Sequence, residues 1–211
     1  MHELNTQALK TALIECVDRI GVAVESFPWE NGRAYGYWLA QTYYFVRHTT
    51  SFLTLTASRF GYRRRDLQYH QLWHLRVESG HDQLLVNDLA KLGHTFDDFE
   101  VLPETSALYQ SQYFFIDHEN PASHFAYAHC LEGAAATKIN LIYKRVEASH
   151  SPNGCTFLLV HMEEEPDHFE HGLVVLDSLT LAEADSYLRN LRQTAYFYIQ
   201  MLEHIKRLAY S

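Results

Sequence analysis

Two remote stretches of the chain carry the same spacing of histidine, carboxylate and histidine, and this repetition constrains the fold more than any other feature. His74-Leu-Arg-Val-Glu78-Ser-Gly-His81 sets three metal-ligand types at i, i+4 and i+7, and His161-Met-Glu-Glu-Glu165-Pro-Asp-His168 repeats the arrangement. Positions spaced in this way lie on a single face of one helix. Each set ends in Glu-x-x-His, the i, i+3 pair used by helical di-metal carboxylate sites. Pro166 predicts a break in the second set, because a proline inside a helix removes a hydrogen bond and clashes with the preceding turn. The simplest expectation is one helix ending near Glu163 and another opening with Glu165 as cap and Pro166 at its first position.

Between the two sets lies Glu132, within Glu132-Gly133-Ala134-Ala135-Ala136. A lone carboxylate among apolar and small residues is costly to bury unpaired, and a metal would remove that cost. The small neighbours let another helix or a ligand come close. Imidazole and carboxylate without thiolate suit iron or manganese and leave zinc open; facing helices of a bundle are a usual place for two such ions. Glu132 shared by two cations accounts for the density of acidic groups and histidines, and an iron centre with open positions can bind and reduce dioxygen.

The chain has 14 histidines, and most need no metal. His70 and His129, about a turn before proposed ligands, are either partners that orient a ligand or ordinary core residues. His171 lies near the expected break and faces solvent in the simplest view. His2, His94, His118, His150 and His204 fall at ends or loops and are assigned to the surface. Glu163 and Asp167 read as a solvated acidic turn.

The rest of the pattern is helical. Leu9, Leu13, Cys16, Val17, Ile20 and Val24 recur at spacings of three and four and predict a first helix from Leu4 to about Ser26, ended by Phe27-Pro28-Trp29. An aromatic-rich helix follows over about 32–60, and a third from Asp66, as cap, to Leu92 and Gly93. A short helix around 108–115 and a long one over about 122–148 come next. Ser151-Pro152-Asn153-Gly154 reads as a turn before the apolar helix that starts at Cys155. Thr180-Leu-Ala-Glu183 is a capping box for the last helix, with Leu188, Leu191, Ala195, Ile199, Leu202 and Ile205 on its apolar face. With 9 Gly and 5 Pro in 211 residues, too few for the turns of a sandwich or barrel, and no linker or repeat, residues 1–211 read as one all-α domain of about seven helices.

The charge balance excludes some partners. Lys and Arg number 17 against 26 Asp and Glu, so no basic stripe is present for nucleic acid, and Arg63-Arg64-Arg65 reads as a solvated turn. No run approaches the roughly 18 apolar residues of a membrane span. Met1-His2-Glu3-Leu4-Asn5 lacks a signal-peptide pattern, so a cytoplasmic protein is expected. Cys16, Cys130 and Cys155 stand far apart and read as buried apolar groups.

These residues together resemble the haem-oxygenase-like superfamily, a seven-helix fold shared by haem oxygenase, the TenA thiaminases, the cofactor-free oxidase PqqC and a group of di-iron oxidases and oxygenases. The di-iron group is marked by a Glu followed seven residues later by His, a lone Glu on a later helix, and a His-x3-Asp-x2-His set. The segment from His81 to Gly93, Glu132, and His161, Glu165 and His168 are similar to those marks, and Tyr43-Tyr44 to paired aromatics common there. Two positions depart: His74 stands where the group has Glu, and Glu165 where it has Asp. The resemblance implies a reduced centre of two Fe2+ held by His74, His81, Glu132, His161, Glu165 and His168. Glu78 is either a seventh ligand or the partner of an imidazole, and Glu132 is central to catalysis. It also implies dioxygen as co-substrate, an external electron donor, a homodimer, and oxidation of a small amine or amino-acid-like molecule. N-oxygenation, oxidative decarboxylation, carbon–carbon cleavage and nitrile formation all belong to that repertoire. Arg47 and Tyr44 are the expected substrate contacts, Arg47 as a bidentate clamp for a carboxylate or as a partner of Glu78. A metal-independent hydrolase or oxidase of the TenA or PqqC kind is the alternative, with histidines as acid–base groups.

Overall fold

A computed structural model describes residues 2–150 and 154–210, with the side chains of 2–5 and 164–168 outside the description. The chain forms nine α-helices among these residues and no strand: α1 (His2–Glu25), α2 (Gly32–Val46), α3 (Thr49–Arg59), α4 (Arg65–Glu78), α5 (His81–Lys91), α6 (Pro103–Phe114), α7 (His124–Ser149), α8 (Thr156–Leu173) and α9 (Leu181–Ala209). The predicted second and third helices are each divided. Arg47 and His48 separate α2 from α3, and Ser79 and Gly80 separate α4 from α5. Counting each pair as one rod restores the expected seven.

The second division has a clear cause. Gly80 takes φ +97°, a left-handed conformation that costs little only without a β-carbon, so the helix stops and restarts at His81. Gly93, at φ +80°, lies just past the end of α5 as its sequence predicts. Asp66 does not cap α4. The helix opens at Arg65, and Asp66 sits in its first turn with Oδ1 3.5 Å from Arg64 Nε.

The expected break at Pro166 is absent: α8 runs continuously from Thr156 to Leu173. A proline ring forfeits one backbone hydrogen bond, and tertiary packing of α8 along α7 outweighs that loss. The Ser151-Pro152-Asn153 turn and the side chain of His2 lie outside the described residues.

The predicted core is in place. Leu9, Leu13, Cys16, Val17, Ile20 and Val24 of α1 are buried, as are Leu191, Ala195, Leu202 and Ile205 of α9, while Leu188 and Ile199 pack at its margin. All three cysteines are free and buried. The capping box forms, with Thr180 N donating to Glu183 Oε2 at 2.8 Å and Glu183 N to Thr180 Oγ1 at 3.4 Å. The central helix α7 packs on α1, α8 and α9. Small residues permit this: a β-carbon on Gly133 would stand 2.7 Å from Phe169 Cε2 of α8 and 2.9 Å from Val17 Cγ2 of α1. His150 is not a surface group. Its Nε2 donates to Trp29 O at 2.7 Å and its ring stacks on Tyr35, closing the end of α7 on the start of α2. No helix among the described residues is long and apolar enough to cross a membrane.

Candidate metal centre

Four helices deliver the candidate donors. α4 presents His74 and Glu78 one turn apart, α5 contributes His81 as its first residue, α7 brings Glu132 from its middle, and α8 brings His161. Ligand atoms of Glu78, His81 and His161 lie within 4.8 Å of one another. Glu78 spans the Gly80 break: its Oε1 is 3.5 Å from His74 Nε2 and its Oε2 is 3.3 Å from His81 Nδ1. His74 Nε2 also lies 3.0 Å from Glu132 Oε1, so one imidazole joins the two carboxylates.

Two features orient the set. His161 Nδ1 is 2.8 Å from Phe157 O, an atom that can only accept, so Nδ1 carries the proton and Nε2 the lone pair. Asp88, fully buried on α5, accepts from Phe157 N at 2.7 Å. This carboxylate satisfies an amide in the first turn of α8 and pins that helix to α5, bringing the His81 and His161 rings to 4.9 Å between centroids.

The charges are coupled. Burial opposes a charged His74, but Glu132 and Glu78 outweigh it and raise the imidazole to about 10. Burial likewise opposes charge on Glu78, yet hydrogen bonds from His74 and His81 hold its carboxyl well below the usual range. Glu132 is lowered too, with His74 overcoming burial. Two anionic carboxylates beside the imidazoles of His81 and His161, with the tautomer of His161 fixed, are a donor set that fits iron. Glu165 and His168 remain in i+4 and i+7 register with His161 on the continuous α8 backbone, and their side chains lie outside the described residues.

His74, Glu78, Glu132 and His161 form one part of the wall of a cavity of about 130 Å³. The rest is mainly apolar and aromatic, including Trp38, Phe45, Leu53, Tyr127, Phe157 and Tyr198. Among the described residues no Lys or Arg lines it. Arg47 and Tyr44, the expected substrate contacts, do not line the cavity. Arg47 is exposed at the end of α2, with its guanidinium 5.2 Å from the Tyr44 ring centre and 5.7 Å from that of Tyr43. The Tyr44 hydroxyl lies 3.2 Å from both Phe96 O and Phe99 O, so it ties α2 to the loop after α5 and stays outside the cavity. A helix end solvates a guanidinium more cheaply than a bundle interior, so Arg47 turns outward.

His70 and His129 lie behind the donors. His129 is buried with Nδ1 3.0 Å from the Tyr187 hydroxyl, and His70 stacks on His171 at 5.2 Å between ring centres, while His171 is exposed as expected. Burial lowers both His70 and His129 to about 4. Sequence reasoning missed Asp88, Thr42 and His124. A signal existed for the last, since His124, Ala128 and Glu132 stand at i, i+4 and i+8 on α7 and all three line the cavity; for Thr42 there was none.

Comparison with solved structures identifies this all-α bundle as a haem-oxygenase-like fold. A domain of unknown function with that fold from Shewanella denitrificans superposes with a TM-score of 0.81 at 17% identity, over 96% of this chain and 92% of the other. A TenA homologue from Pseudomonas syringae pv. tomato gives 0.79 at 17% identity, covering 95% and 92%. A TenA homologue from P. horikoshii gives 0.74 at 14%, covering 94% and 98%. Comparison with curated proteins finds no significant match. The model of a family described as iron-containing redox enzymes matches residues 36–199, and the chain belongs to that family.

Proposed function

We propose that the chain is a non-haem di-iron oxidase or oxygenase that uses dioxygen on a small amine or amino-acid-like substrate with a ring-sized apolar body. The observation that carries this reading is the convergence of Glu78, His81 and His161, with His74 and Glu132 alongside, where all of these but His81 line one side of an apolar cavity. Membership in the iron-containing redox family supports it. In this reading Glu78, His81 and His161 hold one ion, and Glu132, Glu165 and His168 complete a second position.

Bound iron would supply the electrons and the open coordination positions for dioxygen reduction. The chain's own residues do the rest. His74 holds a proton between Glu78 and Glu132, keeping both carboxylates ionised and ready to accept a cation. Trp38, Phe45 and Phe157 exclude water and fix the plane of a flat substrate. The chamber is on the scale of the engineered cavity of about 150 Å³ that admits benzene, which sets the size of the group it can enclose.

The test is anaerobic titration with ferrous iron followed by oxygen-uptake measurements with aromatic amines and amino acids, using dithionite-free reductant. About two irons per chain are expected, together with substrate-dependent oxygen uptake that disappears in Glu132→Ala. Turnover of any substrate that survives exhaustive chelation would overturn the reading in favour of metal-independent chemistry on the same fold.

A further inference from the structure

Within the mainly apolar cavity wall, two polar side chains have no hydrogen-bond partner among the described residues. His124 is 2% exposed on α7, and neither ring nitrogen has a hydrogen-bond partner. Thr42 is 3% exposed on α2, and its hydroxyl is likewise unpaired. Both line the cavity. Buried polar groups are nearly always hydrogen-bonded, because leaving one unmade forfeits its solvation without return, so unpaired polar groups on residues that line a chamber point to a ligand that pairs with them.

The chemistry of the pair defines that ligand. Burial holds His124 down to about 3, so the imidazole is neutral and offers one N–H and one lone pair. A threonine hydroxyl also donates and accepts. Neither group compensates a charge, no Lys or Arg lines the wall among the described residues, and the charged His74, Glu78 and Glu132 on the same wall are paired with one another. Phe45, Leu53 and Tyr127 supply flat and branched apolar surface around them.

We propose that His124 and Thr42 form the polar anchor of a substrate subsite, and that its ligand is a ring-sized molecule whose anchored end is an uncharged hydroxyl or amine, as in a phenol or an aryl amine. This deepens the oxidase reading by naming the substrate class of that chamber, and rests on it for the role of the bound molecule. Recognition itself requires no iron.

The experiment is calorimetric titration of the full chain, as purified and after chelation, with phenol, aniline and toluene as probes. Phenol and aniline should bind roughly tenfold more tightly than toluene, the value of about one net hydrogen bond. Thr42→Val keeps the shape of the side chain and His124→Phe keeps most of its volume; each should shrink the preference to threefold or less while toluene still binds. Loss of the preference in either variant, with toluene binding retained, supports the subsite. An unchanged preference in both, or none in the wild type, overturns it. If His124→Phe fails to fold, the Thr42→Val result decides. Absence of iron-dependent oxygen uptake alongside the expected binding preference would refute the oxidase reading and leave the subsite standing.

Discussion

Glu78 is the carboxylate that reaches both His74 and His81 and belongs to the cluster with His81 and His161, so Glu78→Gln is the sharpest probe of the metal centre. The amide preserves size but removes the charge. An ion that binds only the folded state stabilises it in proportion to the logarithm of its saturation, about 2.7 kcal/mol when free metal is 100 times Kd. For a chain of this length each kcal/mol moves Tm by roughly 2–4 °C, so ferrous iron at that concentration should raise the wild-type Tm by roughly 5–11 °C. Loss of a ligand is set at about 100-fold in affinity, at the strong end of the range for merely supporting groups, which leaves about 0.4 kcal/mol and a shift of roughly 1–2 °C. The assay is anaerobic differential scanning calorimetry with and without ferrous iron. Each protein is compared with its own chelated form, so any cost of the substitution to the metal-free fold cancels. A Glu78→Gln variant that keeps more than half of the wild-type shift would refute the placement of this carboxylate in the centre.

Two further outcomes follow from packing and charge. Gly133→Val should lower stability by about 3 kcal/mol in chemical denaturation, since even its β-carbon would lie within 3 Å of Phe169 and Val17; a loss under 1 kcal/mol would contradict the close approach of α1, α7 and α8. Stability of the chelated protein should fall as pH drops below about 6.5, because His70, His129 and His124 stay neutral in the fold to about 4, 4 and 3 while the unfolded chain takes up protons. Each contributes up to about 1.4 kcal/mol per pH unit there, whereas His74, raised to about 10, is already fully stabilising below 6.5 and loses its contribution only as pH rises toward 10. Urea denaturation at pH 6.5 and 5.5 reads this, and a His70→Phe variant that is as acid-sensitive as the wild type would argue against a buried neutral His70.

The bundle was legible because helical periodicity is a local signal: the apolar stripes of α1 and α9, the Thr180 capping box and the Gly93 stop all follow from near neighbours in sequence. The two divided rods were not. Gly80 could stand mid-helix on propensity alone, and its left-handed turn becomes favourable only once α4 and α5 each have a partner to pack against. Pro166 misled for the converse reason, since its local penalty is real and the packing of α8 overrides it. At the centre, the spacing of His74, Glu78 and His81 and the isolation of Glu132 pointed to groups the fold gathers. Arg47 did not follow, because a cation in an apolar stretch can turn outward at a helix end that periodicity does not reveal. Thr42 and Asp88 are matched to groups far off in sequence, the chamber and the start of α8, and no local pattern marks such pairings.

The single bond from the Phe157 amide to Asp88 has an implication for how this molecule comes apart. Because it bolts the helix bearing His81 to the one bearing His161, while Glu78 and Glu132 arrive on two others, no excised segment would hold an ion by itself. Cation retention therefore reports on the integrity of the whole tertiary structure: proteolytic nicking between α5 and α8 should release metal in one step with the loss of cooperativity, not donor by donor.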